Sequence, residues 1–211
     1  MSIALTAPKL PSVAVVLLAA GTASRMGEGG KHKLLAEFDN VPLVRRSAIA
    51  ALGSGASLVA VVVGHRHDEI SAALSGIPVE TVYNTHYRSG MATSLIAGFS
   101  ASEVMSADGV LIMLADMPGL TADHLATLIQ AFANSGGKAI VRATFHGKRG
   151  NPIILPQSLR ISVMELTGDI GARQIIESSG VPIIEVEIGA AASLDVDTVE
   201  DLIKAGGKLT R

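Results

Sequence analysis

The chain lacks cysteine and tryptophan altogether, and its 211 residues include only two tyrosines and four phenylalanines. The absence of cysteine excludes disulfides, thiolate nucleophiles and cysteine-ligated zinc or iron–sulfur sites. Any metal ion must therefore have oxygen or histidine ligands. The scarcity of aromatic residues and a formal net charge of −2 exclude the stacking surface and basic field of a nucleic-acid-binding protein. A small anionic ligand fits this composition, because a few well-placed cations are enough to bind one.

The chain also lacks a long apolar run, since glycine and charged residues interrupt every apolar block before the roughly 18 residues that a membrane span requires. We therefore expect no membrane association and a cytoplasmic location. Residues 1–12 contain two prolines and no apolar signal core, which predicts a flexible leader. The length is typical of one α/β domain, expected at 13–211, and we expect a monomer or weak oligomer.

Short apolar, β-branched runs alternate with stretches of helical periodicity along the chain. The pattern predicts strands at 13–18, 58–63, 79–83, 109–115, 139–144, 152–155 and 183–188. It predicts helices at 42–52, 68–74, 91–103, 121–134, 169–179 and 197–205. This βαβ rhythm is typical of a mainly parallel sheet with helices on both faces, an α/β fold of three α/β/α layers.

The first predicted strand leads into a glycine-rich loop, LLAAGTASRMG at residues 17–27. Such a turn before a helix directs several backbone N–H groups at one point and favours an anion. The loop matches neither GxxxxGK[ST] nor GxGxxG. It contains Arg25, and Lys33 follows eight residues later, so two cations and a set of amides are available for a triphosphate. The alternative is a tight turn whose two cations point to solvent.

Aspartates at two further places suggest a metal site. Asp116 follows the predicted strand 109–115, and ligands of open α/β sheets bind beyond the carboxyl ends of the strands. Its alternative role is a helix cap, for which Thr121 is better placed. We predict Asp195 as the second metal ligand and Asp197 as the N-cap of the last helix, although their spacing also allows the reverse. Mg²⁺ suits such a site because it binds through one or two carboxylates plus phosphates.

Motifs along the chain resemble, in the same order, those of nucleotidyltransferases with a GT-A-like fold, and most closely those of the molybdenum cofactor nucleotidyltransferases. They are Leu18-Ala19-Ala20-Gly21 with Arg25 and Lys33, Asn84 with Gly90 and Ser94, Asp116-Met117-Pro118, Arg149-Gly150-Asn151-Pro152, Gly168-Asp169 with Arg173, and Asp195-Val196-Asp197. The resemblance spans residues 13–203 and implies a Rossmann-like nucleotidyltransferase fold.

The resemblance implies transfer of a nucleotide from CTP or GTP to the phosphate of molybdopterin, with Mg²⁺ bound and pyrophosphate released. The implied nucleotide site consists of Leu18, Ala19, Ala20, Gly21, Arg25, Lys33, Asn84, Gly90 and Ser94. The implied acceptor site consists of Arg149, Gly150, Asn151, Pro152, Asp169 and Arg173. We assign catalytic roles to Arg25, Lys33 and Asp116, because transfer to an anionic acceptor requires positioning and charge neutralisation rather than a general base.

Ala20 in the first loop also indicates that the nucleotide is CTP. Family members with Leu-Ala-Ala-Gly tend to use CTP and those with Leu-Ala-Gly-Gly tend to use GTP, and the methyl group of Ala20 leaves less room for a purine. Cytidylyltransferases of the family usually carry Gly-His-Pro where this chain has Gly150-Asn151-Pro152. Another phosphorylated acceptor is therefore a second hypothesis. Two more hypotheses are a GTP-dependent guanylyltransferase and a non-catalytic carrier that delivers the cofactor to a client molybdoenzyme.

Overall fold

The computed structural model describes residues 10–22, 32–169 and 171–209. The strands in these ranges are Val13–Ala19 (β1), Glu37–Phe38 (β2), Val41–Pro42 (β3), Leu58–Val63 (β4), Glu80–Tyr83 (β5), Gly109–Leu114 (β6), Ile140–Phe145 (β7), Lys148–Pro156 (β8) and Ile183–Glu187 (β9). The helices are Leu43–Leu52 (α1), His67–Ala73 (α2), Met91–Phe99 (α3), Ala122–Asn134 (α4), Arg160–Met164 (α5), Ala172–Ser178 (α6) and Val199–Lys204 (α7).

Seven strands form one sheet in the order β5-β4-β1-β6-β8-β7-β9. The strand β8 runs antiparallel to both of its neighbours, β6 and β7, and the other adjacent pairs of this sheet are parallel. The strands β5, β4, β1 and β6 therefore end at the same edge of the sheet. In an open α/β sheet this edge is where ligands bind.

The sheet has helices on both faces because alternate residues of its central strand are apolar on both sides. Val13, Val15 and Leu17 of β1 pack in one core with α1, α4 and α7. Ala14 and Val16 pack in a second core with α3, α5 and α6. A strand that is buried on both faces reads as a continuous apolar run, which is the pattern that β1 shows. The predicted three-layer α/β/α arrangement is confirmed.

The predicted strands and helices are present, with shifted ends and some omissions. The hairpin of β2 and β3 was not predicted, because two-residue strands are too short to show alternation; Asp39 and Asn40 form its turn, both with positive φ. The helix α5 was also missed. The strand β8 begins four residues before its predicted start, and α3 ends at Phe99, where the Ser100 hydroxyl donates to the Ile96 carbonyl at 2.7 Å.

The helix starts confirm one predicted cap and correct another. Thr121 caps α4, and its hydroxyl accepts a hydrogen bond from the His124 amide. The N-cap of α7 is Thr198, which forms a capping box with Asp201. The prediction that Asp197 caps this helix is therefore wrong. The threonine hydroxyl and the carboxylate three residues later satisfy the first amides, so the cap does not require Asp197.

Of the leader predicted at 1–12, residues 1–9 lie outside the described residues. The single domain predicted at 13–211 stays a prediction. In the part that the structure describes, Ser12 donates two hydrogen bonds to the Asp108 carboxylate, which ties the segment before β1 to the one before β6. No helix within the described ranges is sufficiently long and apolar to cross a bilayer.

Candidate active site

Residues beyond the carboxyl ends of β1, β5 and β6, together with the start of α3, line a cavity of about 510 Å³. The predicted site residues that line it are Leu18, Ala20, Gly21, Lys33, Gly90, Ser94, Asp116 and Asp169. Asp169 was assigned to the acceptor site and here lies at the first cavity. Ala19 does not line it, because its side chain is buried in the sheet. Arg25 lies outside the described residues.

Asn84 organises one wall of this cavity without lining it. Its buried amide nitrogen donates to the Thr93 hydroxyl at 2.9 Å and to the Ser94 hydroxyl at 3.0 Å. Its carbonyl oxygen accepts from the His86 amide at 2.9 Å. A buried amide with these partners is satisfied, and it holds the first turn of α3 against the end of β5. Asn84 therefore orients Ser94, which does reach the cavity.

Lys33 joins two carboxylates that are far away in the sequence. Its Nζ donates to Asp116 Oδ2 at 2.6 Å and to Asp197 Oδ1 at 3.0 Å. Burial by itself would lower the pKa of Lys33, but the attraction and hydrogen bonds of Asp116, followed by those of Asp197, outweigh it and raise the pKa above its ordinary value. Lys33 is therefore cationic at neutral pH, next to a cavity that an anion can enter.

The second carboxyl oxygen of Asp116 is the oxygen that a metal ion could use as a ligand. Oδ1 is buried and has no hydrogen-bond partner among the described residues. The loop that carries it is fixed, because the Val196 amide donates to the Asp116 carbonyl at 2.9 Å. This bond brings the segment of Asp195 and Asp197 to the end of β6. The side chain that reaches Lys33 from this segment is that of Asp197, whereas Asp195 is exposed.

The sequence reasoning missed His32, which contacts Gly21 just beyond the end of β1. His32 is 4% exposed, its Nε2 lies 3.2 Å from the Gly21 carbonyl oxygen, and its Nδ1 accepts from the Leu34 amide at 3.3 Å. These contacts assign the ring proton to Nε2. Burial lowers the pKa of His32 to about 4, because it penalises the imidazolium more than the Gly21 carbonyl favours it. A single histidine before an apolar pair carries no periodic signal that would reveal this role.

We expect His32 to make stability fall as the pH drops below about 6.5. Above pH 6.5 the His32 imidazole is neutral in both the folded and the unfolded chain. Between pH 6.5 and 4 the imidazole binds a proton in the unfolded chain but not in the folded chain. The free energy of unfolding should fall by about 1.4 kcal/mol per pH unit from this group, about 3 kcal/mol in all. Urea denaturation of the wild type and His32→Gln at pH 7, 6, 5 and 4.5 measures the difference in slope.

The exposed His86 serves as the matched control for this pH dependence. The His86→Gln variant should follow the wild-type slope, because both retain the buried imidazole. Equal slopes for the wild type and His32→Gln between pH 6.5 and 4.5 would contradict the assignment.

A second cavity of about 320 Å³ adjoins the first and shares Leu18, Met91 and Leu114 with it. The predicted acceptor residues that line it are Arg149, Gly150, Asn151 and Arg173. Pro152 follows in β8 without lining the cavity, and the Asn151–Pro152 peptide bond is cis. Gly150 is required where it lies, because a Cβ there would overlap the Ala192 carbonyl.

The opening of the second cavity has a small cluster of charges. Arg173 Nε donates to Glu177 Oε1 at 2.9 Å, and Arg149 Nη1 lies 3.4 Å from the same oxygen. The hydrogen bond and charge of Arg173, with a smaller effect of Arg149, lower the pKa of Glu177. All three side chains are substantially exposed. One carboxylate shared by two guanidinium groups leaves donors for an anionic ligand.

Two predicted motifs meet between the cavities although they are distant in sequence. Gly90 has φ 104°, and a Cβ there would overlap the Gly168 carbonyl. The same carbonyl accepts from the Ala92 amide at 3.2 Å. Only glycine combines this φ with so close an approach. The Gly168-Asp169 motif is therefore packed against the start of α3, and this contact places Asp169 at the first cavity.

Comparison with known proteins supports a common family. Residues 15–183 match the family described as MobA-like NTP transferase domain. Nicotine blue oxidoreductase of Paenarthrobacter nicotinovorans is 29% identical over 202 residues, which are 92% of this chain and 97% of that protein. Purine catabolism protein PucB of Bacillus subtilis (strain 168) is 30% identical over 207 residues, with coverages of 90% and 94%. These two relatives carry functional names that differ from each other.

The fold is shared with solved structures as well. The crystal structure of Rv0371C from Mycobacterium tuberculosis H37Rv in complex with manganese superposes with a TM-score of 0.76 at 21% identity, covering 92% of this chain and 97% of that one. The family match at residues 15–183 includes Lys33, Asp116, and the helix α3 and strand β8 that line the two cavities. The chain therefore belongs to the MobA-like NTP transferase family and has its α/β nucleotidyltransferase fold.

Proposed function

We propose that the protein transfers CMP from CTP to the phosphate of molybdopterin, with Mg²⁺ bound and pyrophosphate released. The observation that carries the proposal is the placement of Lys33 and two carboxylates beside two adjoining cavities. Gly21 and Thr22 of the glycine-rich loop line the first cavity together with Lys33, the cation for a triphosphate. The second has arginines at its opening for an anionic acceptor. Membership of the family supports nucleotide transfer as the reaction.

The donor atoms at the first cavity fit Mg²⁺. Asp116 Oδ1 is a buried oxygen without a partner among the described residues, and the Asp197 carboxylate accepts from the same Lys33 Nζ as Asp116. Carboxylate oxygens are the ligands that Mg²⁺ prefers, and two of them leave positions for phosphate and water. No cluster of three or more histidine, aspartate or glutamate ligands occurs within the described ranges. We therefore propose Asp116 with Asp197 as the metal ligands, and the manganese complex of the related fold supports a divalent ion.

When bound, the ion would neutralise charge on the triphosphate. The chain's own residues bind and orient the two substrates. Lys33 holds a positive charge next to the phosphates, and Gly21 and Thr22 line the cavity beside it. An oxygen of the acceptor phosphate forms the new bond to the α-phosphorus, while the bond to the β-phosphate oxygen breaks and pyrophosphate leaves. No general base is required, because the acceptor phosphate is already anionic at neutral pH. The triphosphate role of Arg25 stays a prediction.

The packing around Ala20 supports CTP as the nucleotide. Ala20 lines the first cavity and is 4% exposed. A Cβ added to Gly64 would lie 2.9 Å from the Ala20 Cβ and 2.6 Å from the Tyr87 Cβ, so the three residues are in tight contact. Ala20 therefore cannot move away from the cavity to make room for a larger base. A pyrimidine fits beside this wall with less displacement than a purine.

Pyrophosphate release tests the proposed function. The purified full chain is incubated with Mg²⁺, molybdopterin and either CTP or GTP, and a reaction without molybdopterin is the blank. We expect pyrophosphate with CTP. Release with GTP alone would contradict the nucleotide assignment, and release only with another phosphorylated acceptor would contradict molybdopterin. No release with CTP or GTP, whether molybdopterin or another phosphorylated acceptor such as a sugar phosphate is added, would overturn nucleotide transfer itself and favour a carrier.

We expect Ala20→Gly to shift the nucleotide preference towards GTP. Loss of the methyl group opens the wall that Gly64 and Tyr87 support, and a change of one methyl in a pocket alters discrimination by about tenfold or more. The ratio of kcat/KM for CTP to that for GTP measures the effect. Ala14→Gly removes a fully buried methyl from β1, the strand that precedes Ala20, away from the cavity and should leave the ratio unchanged. An equal ratio in the wild type and Ala20→Gly would contradict the role.

A further inference from the structure

The second cavity contains a buried arginine that neither the motifs nor the proposed mechanism uses. Arg142 lies in β7, is 6% exposed and lines this cavity. Its neighbours Val141 and Ala143 are fully buried apolar residues, and Arg142 is the one charged residue of a strand whose other polar residue is Thr144. Burying a guanidinium group is costly unless its donors are paired. The position of Arg142 therefore needs an explanation beyond strand formation.

The partners of Arg142 within the protein account for only part of its donors. Its Nη2 donates to Glu185 Oε1 at 2.5 Å, and Glu185 is its direct cross-strand partner in β9. The Glu185 side chain is 47% exposed. Arg142 Nε is buried and has no hydrogen-bond partner among the described residues. A guanidinium group has five N–H donors, and a buried donor without an acceptor costs stability. The unpaired Nε indicates that a ligand supplies the acceptor.

The three arginines of the second cavity lie at different depths. The side chain of Arg142 is 7% exposed, whereas those of Arg149 and Arg173 are 62% and 83% exposed. Arg142 lines only the second cavity and not the first. Leucine and isoleucine side chains line the walls of this cavity, namely Leu95, Ile112, Ile153 and Ile176. The cavity thus combines apolar walls, a donor at its inner end and two cations at its opening.

We propose that Arg142 binds a carbonyl or carboxylate oxygen on the body of the acceptor, at the end away from the reacting phosphate. The proposal rests on the proposed function, because that function assigns the second cavity to the acceptor. The apolar walls contact the ring or chain of the acceptor, and its terminal oxygen accepts from Nε. An acceptor without this oxygen leaves Nε unpaired and is rejected. Arg142 is thereby a specificity-determining residue, and the acceptor belongs to the class of phosphate monoesters with a second oxygen function.

Binding of pterin-6-carboxylate without nucleotide or metal tests this role. This fluorescent probe carries a ring carbonyl and a carboxylate on an apolar-faced body, and fluorescence titration gives its Kd. We expect Arg142→Gln to weaken binding about tenfold or more, since hydrogen bonds to charged groups are strong. Arg142→Lys should restore part of the affinity. Arg46→Gln, an arginine paired with Asp39 outside both cavities, is the matched control and should bind like the wild type.

Glu185→Gln separates ligand binding from a structural ion pair. If Arg142 only holds β7 to β9, Arg142→Gln and Glu185→Gln break the same pair and should weaken the probe equally. If Arg142 binds the ligand, Glu185→Gln should leave the affinity unchanged or higher. Thermal unfolding of each variant checks that it is folded, and Arg142→Lys replaces Arg142→Gln if the latter is not. Equal weakening, unchanged affinity in the Arg142 variants, or no binding by the wild type would overturn the proposal.

Pyrophosphate release in the same variants distinguishes failure of this inference from failure of the proposed function. We expect Arg142→Gln to raise KM for molybdopterin with little change in kcat and no change in CTP binding. Probe binding that depends on Arg142 without any wild-type pyrophosphate release would overturn the function and retain the inference. If the wild type releases pyrophosphate and Arg142→Gln shows an unchanged KM and an unchanged probe affinity, the inference is overturned and the proposed function is retained.

Discussion

Asp116→Asn is expected to lower kcat for nucleotide transfer by about a hundredfold to a thousandfold, which is the usual cost of removing one group that stabilises developing charge. The amide keeps the size of the carboxylate but loses the negative charge that a divalent ion and Lys33 both require. The buried Oδ1 has no other partner among the described residues, so no protein group compensates. Pyrophosphate release at saturating CTP measures the loss.

Direct metal binding gives a second measurement for the Asp116 prediction. Electron paramagnetic resonance of added Mn²⁺ should show weaker binding in Asp116→Asn than in the wild type. Asp68→Asn, in which a 92% exposed carboxylate is replaced, is the matched control and should bind like the wild type. Wild-type Mn²⁺ affinity and kcat in Asp116→Asn would contradict the proposed ligand.

The second metal ligand can be identified in the same assay. The sequence favours Asp195, and the contact with Lys33 favours Asp197. We expect Asp197→Asn to weaken Mn²⁺ binding clearly more than Asp195→Asn, because the Asp195 side chain is exposed. Weaker Mn²⁺ binding in Asp195→Asn than in Asp197→Asn would identify Asp195 as the second metal ligand.

Lys33→Met is expected to lower kcat/KM for CTP by about a hundredfold to a thousandfold, because it removes the positive charge beside the phosphates. It also leaves Asp116 and Asp197 facing one another without the ammonium group between them. Two carboxylates that lose their cation repel each other, so the free energy of unfolding should fall in metal-free buffer. Added Mg²⁺ should restore more stability to Lys33→Met than to the wild type, since the ion replaces the lost charge.

Thermal unfolding at increasing Mg²⁺ concentrations, together with the pyrophosphate assay, checks the Lys33 prediction. Lys138→Met, which replaces an exposed lysine, should match the wild type in both measurements. An unchanged kcat/KM in Lys33→Met would contradict the catalytic role. An equal response of Lys33→Met and the wild type to Mg²⁺ would contradict binding of the metal ion by the two carboxylates that Lys33 bridges.

The fold was predictable from local pattern because its central strands are long and apolar. The strand β1 is buried on both faces, so it reads as a continuous apolar run bounded by a glycine-rich turn. The strands β2 and β3 and the helix α5 escaped prediction since two to five residues show no period. Asp197 was misassigned as a cap because Thr198 and Asp201, one and four residues later, satisfy the helix start instead.

The functional site was only partly predictable. The motifs pointed to Lys33 and Asp116 separately, and the two positions are 83 residues apart in the chain. His32, Arg142 and the shared wall of the two cavities left no motif in the sequence, because their roles come from neighbours in other strands and loops. Glu185 contacts Arg142 only through the parallel pairing of β7 and β9.

By itself, the amino-acid sequence determined the α/β class, the alternation of strands and helices, the absence of cysteine chemistry and the glycine-rich loop that favours an anion. These properties depend on residue type and on spacing within one element. Only the tertiary structure decided that Lys33 lies between Asp116 and Asp197, that His32 is buried against Gly21, and that Arg142 lines the second cavity. Such contacts depend on sheet order and on burial, which change the electrostatic cost of a charge without leaving any trace in the local pattern.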